Sequence, residues 1–433
     1  MIVETIQIFV VLLGVAAVVA IAVRPLRLPY SVALVAVGLL AGIVAPMVVV
    51  GLRPEVPPEA VLLVLLPGLV FEAGYRLDVT HLRRSFAALL FLAMPGVLIS
   101  AAVVAVTLNI TTGLRFDLAF IVGAMVSATD PAAVVSTFRR LHVPPQLATL
   151  VEGESLLNDG TGLVVFAIAI GALSAPVSPM GALVGFVAAI VASSAIGLAA
   201  GYVAARVMVL VDDHLIELTI SVVLAYGTYL LADRLHESGV IATVVAAIVL
   251  GDHRRRRAAA LATHAADAIG RPTADADITS GDPLDTVWEF LAYLLTALVF
   301  LLVGLAFPLG ELAGSLGWIV WGVVGTLVGR AIVVYVLLGA GARLIPMVGP
   351  RGALPPGWLH VLFWSGLRGA VAVAMALALP ISVPERALLQ QITFGIVLFT
   401  LIVQGMTAGA VVRRAVGDET SGTATANEGA RPG

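Results

Sequence analysis

The sequence predicts an all-α protein that crosses a membrane many times. Of its 433 residues, 60% are hydrophobic and only 12% are charged, and the mean hydropathy is +1.07. A soluble domain usually carries about 25% charged residues, so this balance excludes an ordinary soluble globular protein. Apolar runs of about 20 residues, the length that spans a bilayer as a helix, recur from end to end.

Hydropathy divides the chain into thirteen predicted spans. The first is interpreted as an uncleaved helix, because no basic segment precedes it and it is long enough to span. The predicted spans cover roughly residues 2–23, 29–47, 57–75, 86–109, 116–137, 145–172, 180–208, 214–232, 238–251, 286–308, 314–342, 358–380 and 387–412.

Arginine orients these spans in the membrane. All 24 basic residues are arginine, and 18 of them fall on one predicted side against four on the other. This positive-inside bias predicts a cell (inner or plasma) membrane protein with its N-terminus outside and its C-terminus cytoplasmic. The longest cytoplasmic loop, 252–285, holds four successive arginines and is interpreted as a topology anchor in contact with anionic lipid. The tail 416–433 is predicted to be disordered.

The spans form one transmembrane domain, residues 1–415, that divides as six, one and six. Repeat one covers about 2–172 and repeat two about 214–412, with a linker helix at about 180–208. An odd linker span gives the two halves inverted topology, as in many secondary transporters. Spans 5 and 12 then occupy equivalent positions.

Spans 5 and 12 each contain a predicted break near the middle. Pro131 follows Asp130 in "SATDPAA", and Gly366 and Gly369 flank Arg368 in "WSGLRGA". Proline removes a backbone donor, and glycine loosens the helix. Irregular backbone at membrane depth is tolerated only where protein buries it or where it lines a wet cavity. Paired breaks therefore predict a transport site with crossed helices.

Oxygen-bearing residues gather at and near the span 5 break. Asp130 and the Thr129 carbonyl lie at the break, and Ser155 and Asp159 share one face of span 6. Carboxylate, hydroxyl and carbonyl oxygens suit a small alkali cation. Asp130 is also a good N-cap, and Ser155 is also suited to bond a preceding carbonyl. Asp159 has no comparably simple structural role.

Further charged residues have both structural and functional interpretations. Glu72 on span 3 is either an additional ligand or a partner of Arg76. Glu154 is predicted to pair with Arg330, since a buried charge needs a partner. Arg368 is predicted to neutralise the end of a helix at the span 12 break. No cysteine is present and no histidine has metal spacing, so no metal cluster and no cofactor are predicted.

At these residues the sequence resembles a known family. "TDP", "GESLLNDGTG", "GLRGAVA" and "LLPGLVFEAGYRLD" resemble motifs of the NhaP-type sodium/proton antiporters, which are related to the animal sodium/hydrogen exchangers. The resemblance implies a homodimer with an NhaA-like transporter fold of thirteen helices. It implies that Asn158 orients the site. The ion ligands that it implies are Asp159, Asp130, Ser155, the Thr129 carbonyl and Glu72.

The predicted function is exchange of sodium, and also lithium, for protons, with a role in pH homeostasis. Cation and proton compete for the same buried carboxylates. Asn158, which replaces a second adjacent carboxylate, and the absence of lysine predict one-for-one, electroneutral exchange. The protein is predicted to be a transporter and no enzyme, with membrane lipid, monovalent cations and a second copy as partners and no nucleic acid.

Three alternatives remain open from the sequence. A potassium-preferring antiporter would use the same oxygens in a different cavity. An intramembrane aspartyl protease would need a close carboxylate dyad, usually in a Gly-x-Gly-Asp setting that this sequence lacks. A passive channel would conduct ions without proton coupling.

Overall fold

A computed structural model describes residues 2–23, 29–48, 60–141, 143–175, 177–211, 213–269, 283–307, 313–340 and 354–415. Throughout these ranges the regular structure is helical. The helices, labelled in chain order, are α1 (Ile2–Val23), α2 (Tyr30–Val48), α3 (Leu66–Arg76), α4 (Val79–Ala93), α5 (Pro95–Thr112), α6 (Phe116–Met125), α7 (Ala132–Leu141), α8 (Pro145–Ser174), α9 (Pro179–Val209), α10 (His214–Arg234), α11 (Gly239–Ile269), α12 (Pro283–Leu305), α13 (Leu316–Ala331), α14 (Pro356–Trp364), α15 (Ala370–Leu377) and α16 (Arg386–Phe399).

Three of these helices are extended by turns of π-helix. Ala60–Leu65 precedes α3, Ile332–Ala340 follows α13, and Thr400–Gln404 follows α16. Within the described ranges, seven helical runs are long and apolar enough to cross a membrane, which confirms a multi-pass, all-helical membrane protein. The predicted tail 416–433 lies outside the described residues, and the count of thirteen spans stays a prediction.

The described residues cluster into two compact units. The first draws on residues 1–58, 81–177 and 297–433 and contains both predicted breaks. The second draws on residues 59–80 and 178–296 and contains α3, α9, α10 and α11. The predicted inverted repeats are a different division of the chain and stay a prediction.

Both predicted helix breaks are present in the first unit. Residues 126–131 separate α6 from α7, and residues 365–369 separate α14 from α15. The two irregular segments contact each other, because the backbone N–H of Asp130 donates to the Leu367 carbonyl at 2.8 Å. Gly369 lies so close to the Asp130 side chain that a Cβ atom there would clash. The glycine is therefore required by the close approach of the two segments.

Close helix packing in the second unit depends on small residues. Gly197 and Gly201 of α9 contact the backbone of α11 at Ala242 and Ala246. Such small residues let membrane helices approach backbone to backbone. Near them, the buried indole of Trp288 donates to the Ser221 hydroxyl at 2.9 Å, so its polar atom is satisfied.

The arginine run 254–257 lies on a helix, which corrects the predicted loop at 252–285. α11 continues through Ile269, α12 begins at Pro283, and 270–282 lie outside the described residues. The side chains of the run contact protein. Arg254 pairs with Glu217 of α10 at 2.7 Å, and Arg257 donates to the Met208 carbonyl of α9 at 3.4 Å. The run therefore joins α11 to the ends of neighbouring helices; its predicted lipid contact stays a prediction.

Arg255 holds the end of α3. Its guanidinium donates to the carbonyls of Tyr75 at 2.9 Å and Leu77 at 2.6 Å, which the end of a helix leaves without intrahelical partners. We expect Arg255→Gln to destabilise the protein by roughly 1.5–3 kcal/mol, because charge-assisted hydrogen bonds to buried acceptors are lost. Thermal melting in detergent measures the change. Arg256→Gln is the matched control, since Arg256 is largely exposed and its ion-pair partner among the described residues is Asp252 of its own helix. Equal melting temperatures for the two variants would contradict the role of Arg255.

Candidate ion-binding site

The Asp130 carboxylate lies where two half-helices begin. It accepts a hydrogen bond from the backbone N–H of Ala132, the first residue of α7, at 3.0 Å. It also accepts one from the N–H of Ala370, the first residue of α15. The N-terminus of a helix carries partial positive charge and stabilises an anion. The predicted N-cap role of Asp130 is confirmed for α7. Asp130 also lies at the N-terminus of α15, which the sequence analysis did not predict.

Ser155 connects α8 to the span 5 break. Its hydroxyl donates to the Thr129 carbonyl, 26 positions earlier, and both residues are buried. The alternative of a bond within its own helix is therefore wrong. One hydroxyl oxygen and one freed carbonyl oxygen thus lie side by side next to Asp130.

Asp159 lies on the face of α8 that packs against the break. Ser155, four residues before it, contacts Thr129, and Gly162, three residues after it, lies against Ser127 and Ala128. Residues three and four apart share a helix face, so Asp159 faces the same segment. It is close enough to Asp130 for the two charges to interact.

The two aspartates differ from the residues around them in exposure. Asp130 and Asp159 are half-buried, whereas Thr129, Ser155 and Asn158 are buried. Within the described part of the chain, no hydrogen-bond donor or cationic side chain contacts the Asp159 carboxylate. A carboxylate withdrawn from water without a counter-charge favours taking up a proton or a cation.

Glu154 forms the predicted pair with Arg330. Both guanidinium Nη atoms bond the two carboxylate oxygens, with Nη2 to Oε2 at 2.8 Å, and the residues are only 2% and 4% exposed. Arg330 also donates to the Leu362 carbonyl at 2.6 Å. The Asn158 amide donates to Glu154 Oε1 at 3.0 Å. The Glu154 carboxylate is thus engaged by two side chains and acts as a structural anion.

Arg368 occupies the second break and is 1% exposed. Its Nη1 donates to the Gly366 carbonyl at 2.7 Å, just beyond the end of α14. This position matches the predicted neutralisation of a helix end. Its backbone N–H donates to the Thr400 hydroxyl at 3.0 Å. The sequence analysis did not identify Thr400. A hydroxyl inside the apolar stretch "LFTLIVQ" indicates a polar partner nearby and could have identified it.

Glu72 belongs to the second unit. Its carboxylate pairs with Nε of Arg76 at 2.8 Å, one helical turn later, and Arg76 also contacts Glu289 at 3.1 Å. The predicted pairing with Arg76 is therefore confirmed. Whether Glu72 also serves as an ion ligand stays a prediction.

Comparison with known proteins finds matches over nearly the whole chain. A family profile described as sodium/hydrogen exchanger, transmembrane, matches residues 11–414. The Na(+)/H(+) antiporter NhaH of Halobacillus aidingensis is 34% identical over 419 residues, which cover 94% of this chain and 97% of that protein. The Na(+)/H(+) antiporter NhaP of Pseudomonas aeruginosa is 34% identical over 82% of this chain and 81% of its own length.

A solved structure supports the fold. The sodium proton antiporter MjNhaP1 of Methanocaldococcus jannaschii aligns with a TM-score of 0.72, over 96% of this chain and 99% of its own, at 19% identity. At that identity the likeness concerns the fold alone. Because the family profile and full-length relatives above 30% identity agree, the chain belongs to the sodium/hydrogen exchanger family.

Proposed function

We propose that this protein is a secondary transporter, not an enzyme, that exchanges sodium for protons at Asp130 and Asp159. One observation carries the proposal. Asp159, which has no counter-charge among the described residues, faces a broken helix whose Thr129 carbonyl and Asp130 carboxylate supply further oxygens. The names of the relatives, which are sodium/proton antiporters, support the same activity.

The proposed mechanism is competition between two ions for one site. The ligands proposed for sodium are Asp159, Asp130, Ser155 and the Thr129 carbonyl, together with Glu72 as predicted from the sequence. A proton on the aspartates neutralises the same charge that sodium would neutralise. The site moves through the low-dielectric interior at low cost only when its charge is neutralised by an ion. The movement of sodium in one direction is therefore coupled to the movement of a proton in the other.

Reconstituted vesicles test this activity. An imposed sodium gradient is expected to drive proton movement in the opposite direction, reported by a pH-sensitive dye trapped inside. Lithium and potassium, substituted for sodium, test the predicted lithium transport and the potassium-preferring alternative. Sodium flux without proton movement would overturn the proposal in favour of a channel.

Charge balance supports one-for-one exchange. The carboxylates of Asp130, Asp159 and Glu154 and the guanidinium groups of Arg330 and Arg368 lie at or near the two breaks, and Glu154 pairs with Arg330. Three negative charges against two positive charges leave one negative charge. One sodium ion or one proton makes this group neutral, so both loaded forms carry the same charge through the membrane.

Electroneutral exchange predicts insensitivity to membrane potential. When potassium gradients with valinomycin clamp the potential of the vesicles, we expect the steady-state sodium gradient to depend on the pH difference alone. Both polarities of the clamp are compared with a zero-potential control. A steady-state gradient that follows the imposed voltage would show that net charge moves in each cycle.

The finer architecture also belongs to this proposal. We propose thirteen spans in two inverted repeats, with the crossed breaks at equivalent positions. The N-terminus is placed outside and the C-terminus in the cytoplasm of a plasma membrane, and two copies form a homodimer that serves pH homeostasis. The structural likeness to MjNhaP1, over nearly the full length of both chains, is compatible with this arrangement.

A further inference from the structure

We infer that Arg386 and Gln390 are positioning residues for the ion site, which they influence through the half-helix α15. The inference rests on the proposed function. It assigns a role to two side chains that lie at the far end of this helix from the aspartates.

One end of α15 is part of the ion site. Its first N–H, from Ala370, donates to the Asp130 carboxylate, and Gly369 packs directly against that side chain. A shift of α15 along its axis would therefore change both the hydrogen bonding and the space available to Asp130. The orientation of this carboxylate depends on where α15 lies.

The other end of α15 is held by the first two turns of α16. Arg386 donates from Nε to the Leu379 carbonyl at 2.7 Å and from Nη2 to the Leu377 carbonyl at 3.2 Å. Gln390 donates to the Ala376 carbonyl at 2.8 Å. Ala376 and Leu377 belong to the last turn of α15 and Leu379 follows it, and a cation at the end of a helix complements the helix dipole.

The charge of Arg386 is available for this role alone. It is half-buried, and among the described residues its guanidinium bonds backbone carbonyls and no carboxylate. α15 therefore has opposite charges at its two ends, Asp130 at the N-terminus and Arg386 at the C-terminus. Each charge has the sign that the dipole favours.

The position of α15 depends on its contacts with other parts of the chain. It has only eight residues, and helices this short are marginal without outside contacts. α16 fixes the far end through Arg386 and Gln390. The same helical run, through Thr400, binds the backbone N–H of Arg368 at 3.0 Å just before α15 begins. The helical run formed by α16 and the π-helix after it thus contacts the chain beyond the C-terminal end of α15 and just before its N-terminal end.

The inference is tested by the sodium dependence of exchange in proteoliposomes. For Arg386→Gln we expect the apparent KM for sodium to rise roughly three- to tenfold, the effect of one or two lost charge-assisted bonds, with kcat changed by less than about twofold. Arg386→Lys keeps the charge but carries its donors on a single nitrogen, so it is expected to restore part of the affinity. Arg234→Gln is the matched control, because Arg234 is an exposed arginine in the last turn of α10.

The outcomes separate the inference from the function on which it rests. If the unmodified protein exchanges sodium and folded Arg386→Gln keeps the original KM, the inference is overturned while the function stands. If the unmodified protein shows no exchange, the proposed function itself fails. Should Arg386→Gln not fold, Gln390→Leu decides by the same criterion, since it removes a single bond: a raised KM supports the inference and an unchanged KM overturns it.

Discussion

Asp159→Asn is expected to abolish proton-coupled sodium exchange while the protein folds normally. Asparagine has nearly the same shape as aspartate but carries neither the charge that attracts sodium nor an oxygen that takes up a proton at neutral pH. Because Asp159 has no counter-charge among the described residues, no ion pair is broken by the change. We expect the exchange rate to fall by at least about 100-fold, which corresponds to roughly 2.7 kcal/mol in the barrier.

Asp117→Asn is the matched control for this prediction. Asp117 lies in the same unit, in the first turn of α6, where its side chain is 42% exposed and pairs with Arg115 at 2.5 Å. The same chemical change there should leave exchange within about twofold, because exposed ion pairs contribute little. Sodium-driven proton movement at the normal rate in Asp159→Asn would show that Asp159 is not part of the ion site.

The features that could be predicted from the sequence are those with a local signal. Both breaks were predicted from proline or glycine that stands beside a charged residue inside an apolar run. Few arrangements of backbone are stable at membrane depth, so this pattern is informative. The Glu154–Arg330 pair followed from the rule that a buried charge requires a partner of opposite sign. Both features are present in the structure.

The features that could not be predicted depend on contacts between distant parts of the chain. Nothing local to "GLRGAVA" shows that the N–H of Ala370 binds Asp130, and nothing in "RRRR" shows which carbonyls Arg255 reaches. The extension of α11 had a signal of another kind. Residues 254–269 are rich in alanine and arginine, which favour helix. A hydropathy window detects only the end of the apolar span at these arginines and does not report whether the helix continues beyond it.

Glu154→Gln is expected to cause the largest loss of stability. The substitution leaves the Arg330 guanidinium buried without its carboxylate, a change that costs about 3–5 kcal/mol in other proteins. Asn158 keeps an acceptor in the glutamine carbonyl, so the main loss is the charge pair itself. Thermal melting in detergent should show a clearly lower transition temperature. An unchanged transition would mean that the pair does not stabilise the fold.

Two further variants separate the structural role of Glu154 from a role in ion binding. Glu289→Gln is the control, since Glu289 is 58% exposed where it contacts Arg76, and its loss should shift the transition little. Glu154→Gln combined with Arg330→Gln should regain part of the stability, because the guanidinium that Glu154→Gln alone leaves unpaired is also removed. If the double variant also exchanges sodium for protons, then Glu154 and Arg330 form a structural ion pair that takes no part in ion binding. The charge that is contested by the two ions would in that case reside on Asp130 and Asp159 alone.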